Sequence, residues 1–289
     1  MKVKILVPFG YCAGVERAID IALETKRKYS ERPVVVLGML VHNQDALEFL
    51  QKAEIETIYD QTKSLLELVD EIPEQAVVIL TAHGHSQELE DKLHEKNIFY
   101  VDATCPFVTA TFDRIKKVIH EERDVLYLGK KNHPEANAAL SINHRIYLIE
   151  PEQVVLNREY NKPLLINQTT FSEEEVKEVT SFIIGKVKGV EVEPSVCHAS
   201  TMRQKALREL PQNYELIYVV GGANSNNTKT LFEIAQNSHP KAKVIRIKNV
   251  DDINKKDLNG LSHIAISSGA STPKEITLAI KDYLESLLD

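Results

Sequence analysis

Asp102-Ala103-Thr104-Cys105-Pro106-Phe107-Val108 is the stretch on which the reading of this 289-residue chain turns. The run Ile98-Phe99-Tyr100-Val101 before it reads as a buried strand, and Pro106 suits the first position of a helix. The thiol of Cys105 is therefore expected where a strand gives way to a helix. The other two cysteines, Cys12 and Cys197, lie 93 residues before and 92 residues after it. One cysteine per near-equal third predicts a repeated unit, each repeat delivering one thiolate to a common centre.

Outward from Cys105 the same order recurs. In the first third, strands are expected over 2–7, 33–38, 56–59 and 76–80. Helices are expected after Cys12 and over 45–52, 65–69 and 87–96, the last capped by Ser86. In the second third a helix with Val108, Phe112, Ile115 and Ile119 on one face follows Cys105. Strands follow over 125–128, 145–149 and 163–166, and Ser172 with Glu175 forms a capping box for the next helix. In the last third Met202, Ala206, Leu207 and Leu210 make the buried face of a helix after Cys197. Strands follow over 216–220, 244–247 and 264–266, and Thr272, Pro273 and Glu275 open the final helix as cap, first turn and capping-box acid. Strands alternating with helices predict an α/β fold: three similar parallel-sheet units in pseudo-threefold arrangement, over 13–104, 105–196 and 197–289, the last completed by 1–12.

In parallel sheets ligands bind beyond the carboxyl ends of the strands, and the chemically unusual residues fall there. Each cysteine is followed by a polar cluster about thirty residues on (His42; His133 and Glu135; Ser225, Asn226 and Asn227). A second cluster comes about seventy residues on (His83; Thr169; Ser271). Short hydroxyl, amide and imidazole donors beside helix N-termini suit a phosphate or diphosphate held without a Lys/Arg cluster. Three thiolates at helix starts suit a metal centre. It is either zinc with a histidine as fourth ligand, or a 4Fe–4S cluster on three cysteines with one iron open. Glu135 is the one carboxylate among the clusters, and burial there would raise its pKa and make it a proton donor.

Composition narrows the class. A net charge of −7 argues against a nucleic-acid partner. No run of eighteen apolar residues exists, so no membrane span is expected. The N-terminus enters a strand directly, without a signal peptide's apolar region, so a cytoplasmic protein is expected.

Taken together, Gly10-Tyr11-Cys12-Ala13-Gly14-Val15, Val41-His42-Asn43, Ala82-His83-Gly84, Asp102-Ala103-Thr104-Cys105-Pro106, His133-Pro134-Glu135, Gln168-Thr169-Thr170, Cys197 with Arg203-Gln204, and Gly269-Ala270-Ser271-Thr272-Pro273 resemble the hydroxymethylbutenyl diphosphate reductases, the IspH/LytB family. The resemblance covers essentially the whole chain. It implies reductive removal of the allylic hydroxyl of 4-hydroxy-3-methylbut-2-enyl diphosphate, the last step of the methylerythritol phosphate route to isoprenoids. It implies a central 4Fe–4S cluster on Cys12, Cys105 and Cys197, whose open iron takes the substrate hydroxyl. Glu135 is implied as the acid and Thr169 as the group orienting the hydroxyl. His42, His83, His133, Ser225, Asn226, Asn227 and Ser271 are implied as diphosphate ligands, and a ferredoxin or flavodoxin as electron donor. The family usually reads Ser-Ser-Asn where this chain has Ser225-Asn226-Asn227. Two rival readings are a relative acting on another allylic diphosphate, and a non-enzymatic zinc-stabilised binding protein or iron–sulfur redox sensor.

Overall fold

The computed structural model describes residues 2–222 and 225–287. Ala223 and Asn224, in the polar run expected after the strand over 216–220, lie outside the described residues. In chain order the elements are β1 (Lys2–Ile5), α1 (Ala13–Lys28), β2 (Val34–Leu37), α2 (Gln44–Lys52), β3 (Glu56–Ile58), α3 (Leu65–Leu68), β4 (Val77–Leu80), α4 (Gln87–Glu95) and β5 (Phe99–Asp102). There follow α5 (Pro106–His120), β6 (Val125–Leu128), α6 (Pro134–Ser141), β7 (Ile146–Ile149), β8 (Leu164–Asn167), α7 (Glu173–Ile184) and β9 (Glu191–Val192). The chain closes with α8 (His198–Arg208), β10 (Leu216–Val220), α9 (Asn226–Ser238), β11 (Lys243–Ile247), β12 (His263–Ser268) and α10 (Lys274–Ser286).

Among the described residues the strands form three parallel sheets of four, in the orders β3-β2-β4-β5, β7-β6-β8-β9 and β11-β10-β12-β1. Each is built the same way: the first and third strands of a unit lie in the middle, the second and fourth at the edges. Four of the six middle strands, β2, β4, β6 and β10, read Val-Val-Val-Leu, Val-Val-Ile-Leu, Val-Leu-Tyr-Leu and Leu-Ile-Tyr-Val-Val, and every residue in them is buried. Such unbroken apolar runs belong to parallel strands covered on both faces. Burying each Val, Leu or Ile contributes about 1.5–3 kcal/mol.

The chain divides into two compact units. One takes the two chain ends, up to Glu16 and from His198, with His42–Glu48; the other holds Arg17–Val41 and Phe49–Cys197. In the first unit, Leu207, Leu231 and Ile234 of α8 and α9 cover one face of the sheet, and Ile280 and Leu284 of α10 the other. In the second, α5 and α6 pack Val108, Phe112, Ile115 and Ala136 onto β6 and β8, and α7 packs Val176 and Val179 on the opposite face.

Several local expectations hold. Cys105 is the N-cap of α5 with Pro106 first inside it, Ser86 caps α4, and Ser172 with Glu175 forms both bonds of a capping box. Others do not. β5 is not a buried strand, because it is a sheet edge and Phe99 is 45% exposed. After Cys197, Leu207, Leu210 and Ala206 pack on the core as expected, but Met202 points outward and the buried face of α8 also takes Ser200, Arg203 and Gln204. Its guanidinium draws Arg203 inward, donating to the carbonyls of Ala199 (3.0 Å) and Gly10 (2.7 Å). Thr272 does not cap α10, because its hydroxyl donates to the Val220 carbonyl at 3.1 Å and Pro273 takes the cap position. The elements α6, α9 and β9 were not foreseen. The first two carry too many Ala, Asn and Thr residues to show an apolar period, and β9 has only two residues.

Candidate active site

Each cysteine is the residue directly before a helix: Cys12 before α1, Cys105 before α5, Cys197 before α8. All three are half-buried. Each backbone N–H donates to a carbonyl two residues beyond a central strand. Cys12 bonds Ala270 after β12 (2.9 Å), Cys105 bonds Ala82 after β4 (3.0 Å) and Cys197 bonds Thr169 after β8 (2.9 Å). Three sheets thus place three thiols in one local setting, at helix starts whose positive end favours thiolate. Among the described residues no three His, Cys, Asp or Glu side chains are already gathered as a metal-binding set. The donor set itself fits an iron–sulfur cluster: three soft thiols, each next to a backbone held in place.

The first polar clusters are equivalent too. His42, His133 and Ser225 each stand five residues past the end of β2, β6 and β10. Each opens a helix. Asn43, next to His42, accepts from the N–H groups of Asp45 (2.7 Å) and Ala46 (3.1 Å). His133 Nδ1 accepts from Glu135 N–H (3.2 Å), and Ser225 Oγ accepts from Thr228 N–H (3.3 Å). With Nδ1 accepting, the neutral His133 ring carries its proton on Nε2, as a donor. Burial holds the His42 pKa below its ordinary value.

In the second unit the structure brings Glu135, Thr169 and His133 together. Glu135 is 1% exposed. Its Oε1 accepts from Thr169 N–H (2.8 Å) and Tyr127 O–H (3.2 Å), and its Oε2 from Thr169 Oγ1 (2.9 Å). Burial raises its pKa from 4.5 to about 7, against the lowering effect of those hydrogen bonds. The His83 ring lies edge-on to the His133 ring, centroids 6.0 Å apart. Gly84 beside it has φ +84°, and a Cβ there would stand 2.5 Å from Phe112 Cε2, so no side chain fits.

The first unit carries the matching arrangement with an amide. Asn227, like Glu135, lies seven residues past a central strand. Its Oδ1 accepts from Ala270 N–H (3.0 Å), as Glu135 does from Thr169, and its Nδ2 donates to Ser200 Oγ (3.0 Å). Asn226 is the first residue of α9, and Ser271 is buried just after Ala270. The spacing argument set Thr169 level with His83 and Ser271. The hydrogen bonds set Thr169 level with Ala82 and Ala270, and Thr170 level with His83 and Ser271. Sequence reasoning also missed Tyr127, which it took only for part of a strand, and Gln168, whose Oε1 accepts from Lys130 N–H at 3.1 Å. The available signal for Tyr127 was a hydroxyl in an otherwise aliphatic strand.

These features define an α/β protein in which each parallel sheet presents one cysteine at a helix start, with the buried acid Glu135 among hydroxyl and imidazole groups. The family model described as LytB protein matches residues 3–285, and the chain belongs to that family. It is 36% identical to the 4-hydroxy-3-methylbut-2-enyl diphosphate reductase of Brevibacillus brevis, over 99% of this chain and 92% of that one. It is 35% identical to the enzyme of that name from Malacoplasma penetrans, over 100% and 98%. Among solved structures it superposes on the E-1-hydroxy-2-methyl-but-2-enyl-4-diphosphate reductase from Plasmodium falciparum with a TM-score of 0.86 at 26% identity, covering 99% of this chain and 88% of the other.

Proposed function

We propose that the chain is an oxidoreductase that converts 4-hydroxy-3-methylbut-2-enyl diphosphate, two electrons and two protons into isopentenyl or dimethylallyl diphosphate and water. The observation that carries the reading is the buried Glu135–Thr169 pair. A carboxyl with a pKa of about 7 holds a proton in a good share of molecules at neutral pH and still releases it readily. Breaking an allylic C–O bond needs a proton on the departing oxygen, and Thr169 Oγ1, bonded to the acid, is the group that orients or passes it.

Cys12, Cys105 and Cys197 would hold a 4Fe–4S cluster, which supplies electrons and one iron free of protein ligands. The diphosphate falls to neutral donors: Nε2–H of His133, the imidazoles of His42 and His83, Ser225, Asn226, Asn227 and Ser271. The N-termini of α6 and α9 add backbone N–H groups and a favourable dipole. Asn227 gives one Nδ2 hydrogen to Ser200 and keeps a second for an anion. A ferredoxin or flavodoxin would deliver the electrons, in the cytoplasm. The catalytic body is read as three repeats, 13–104, 105–196 and 197–289 with 1–12. Among the described residues no helix is long and apolar enough to cross a membrane. Iron and sulfide analysis of anaerobically purified protein tests the reading. About four of each per chain is expected, and a protein free of iron after reconstitution would sink it.

A further inference from the structure

We propose that Tyr127 is a positioning residue for the acid: with the Thr169 N–H its hydroxyl occupies Glu135 Oε1, so that the transferable proton is confined to Oε2, against the Thr169 hydroxyl. The inference rests on the role proposed above for Glu135.

Three observations carry it. First, the two carboxyl oxygens are not alike. Oε1 accepts two hydrogen bonds, from Thr169 N–H at 2.8 Å and Tyr127 O–H at 3.2 Å, while Oε2 meets only the Thr169 hydroxyl among the described contacts, at 2.9 Å. A backbone N–H cannot turn into an acceptor, so a proton on Oε1 would crowd two donors. On Oε2 it donates to Thr169 Oγ1, and the threonine hydrogen then turns outward.

Second, the repeat supplies its own control. Tyr127 is the penultimate residue of β6, directly before Leu128 and Gly129. The matching positions before Gly38 and Gly221 are Val36 in β2 and Val219 in β10. The N–H groups of Gly38, Gly129 and Gly221 each donate to the last residue of the neighbouring edge strand, which fixes the equivalence. Valine fills the two equivalent positions. Matched by helix cap, the residues at the Glu135 position are Asp45, which is only partly buried, and Asn227, so the tyrosine accompanies the one fully buried acid of the three.

Third, the ring has a slot. Tyr127 is fully buried, and a buried hydroxyl needs a partner. A Cβ on Gly129 would stand 2.8 Å from its Cε1 and 3.2 Å from the Ala136 Cβ, so only glycine leaves room for the ring there. The other groups bonded to Glu135 are Thr169 after β8, on its carboxyl, and His133 at the start of α6, on its backbone N–H. The faces of α5 and β7 toward this cluster are Val108, Phe112, Ile115 and Ile146, and the one titratable side chain packed against the same cluster from α5 is the Cys105 thiol at its start.

The test compares wild type, Tyr127→Phe and Glu135→Gln. Infrared titration follows the Glu135 carboxyl band, identified by its absence in Glu135→Gln. Turnover is measured at pH 6, where the acid is protonated. Losing a hydroxyl that stabilises the carboxylate raises the midpoint, by about half a unit, and lowers kcat about threefold to tenfold with KM unchanged, the scale of one hydrogen bond. A Tyr127→Phe protein with the wild-type midpoint and kcat overturns the role of Tyr127 while leaving Glu135 in place. A Glu135→Gln protein of normal activity overturns the role of the acid, and this inference with it.

Discussion

The backbone N–H of Cys197 donates to the Thr169 carbonyl at 2.9 Å, and the N–H and hydroxyl of the same threonine hold the two oxygens of Glu135. One residue therefore fixes both a thiol-bearing helix start and the buried acid. A change in either is transmitted through a single backbone segment, the two residues past β8.

Glu135→Gln keeps the shape and the bond to Thr169 N–H but has no proton to give. Turnover should fall about a hundredfold or more, as for loss of a general acid, with substrate binding preserved. Steady-state kinetics with calorimetric binding would show it, and a rate within threefold of wild type would remove Glu135 from the mechanism.

The raised pKa of Glu135 fixes two pH dependences. As proton donor it is active when protonated, so kcat should decline as pH rises through about 7. For stability, the folded pKa lies above the unfolded value of 4.5. The contribution is fully present below pH 4.5 and is lost as pH rises toward 7. Between pH 4.5 and 8 the wild type should lose about 3 kcal/mol relative to Glu135→Gln. Urea unfolding of both proteins at the two pH values measures the gap, and a constant gap would contradict a buried neutral acid.

Cys105→Ser should prevent stable cluster assembly. The hydroxyl is a poor iron ligand, and the cap position itself tolerates serine, so the fold should survive. Circular dichroism with iron analysis separates the two effects. Full iron content in the variant would rule Cys105 out as a ligand.

Arg203→Met removes a guanidinium that donates from α8 to the carbonyls of Ala199 and Gly10, the latter two residues before Cys12. A charged hydrogen bond of this kind is worth about 1.5–3 kcal/mol. Chemical denaturation should show a loss of that order, and none would mean the Gly10–Cys12 turn is held by other contacts.

Gly84→Ala would force a Cβ against Phe112 and impose a side chain on a left-handed backbone. About 1–3 kcal/mol of stability should be lost, with weakened substrate binding through displacement of His83. Unaltered melting would show that the Phe112 ring moves aside freely.

The three sheets were legible in the sequence because four of their six central strands are unbroken apolar runs and because three cysteines are evenly spaced. Helix starts with Ser86, Pro106 or Ser172 were legible because capping chemistry is local. The inward turn of Arg203 on α8 was not, since its guanidinium is held inside by the carbonyl of Gly10, distant in sequence. Tyr127 was hidden for a similar reason: a tyrosine in a strand is ordinary, and its partner Glu135 becomes a partner only once α6 packs on β6. The level of Thr169 was off by one residue because spacing alone does not reveal which carbonyl a cysteine N–H selects.

Product analysis after anaerobic incubation of the reconstituted protein with 4-hydroxy-3-methylbut-2-enyl diphosphate and a low-potential reductant tests the central claim most directly. The account predicts isopentenyl and dimethylallyl diphosphate, with one water released for every two electrons consumed. Unchanged substrate in the presence of an intact, reduced cluster would contradict it.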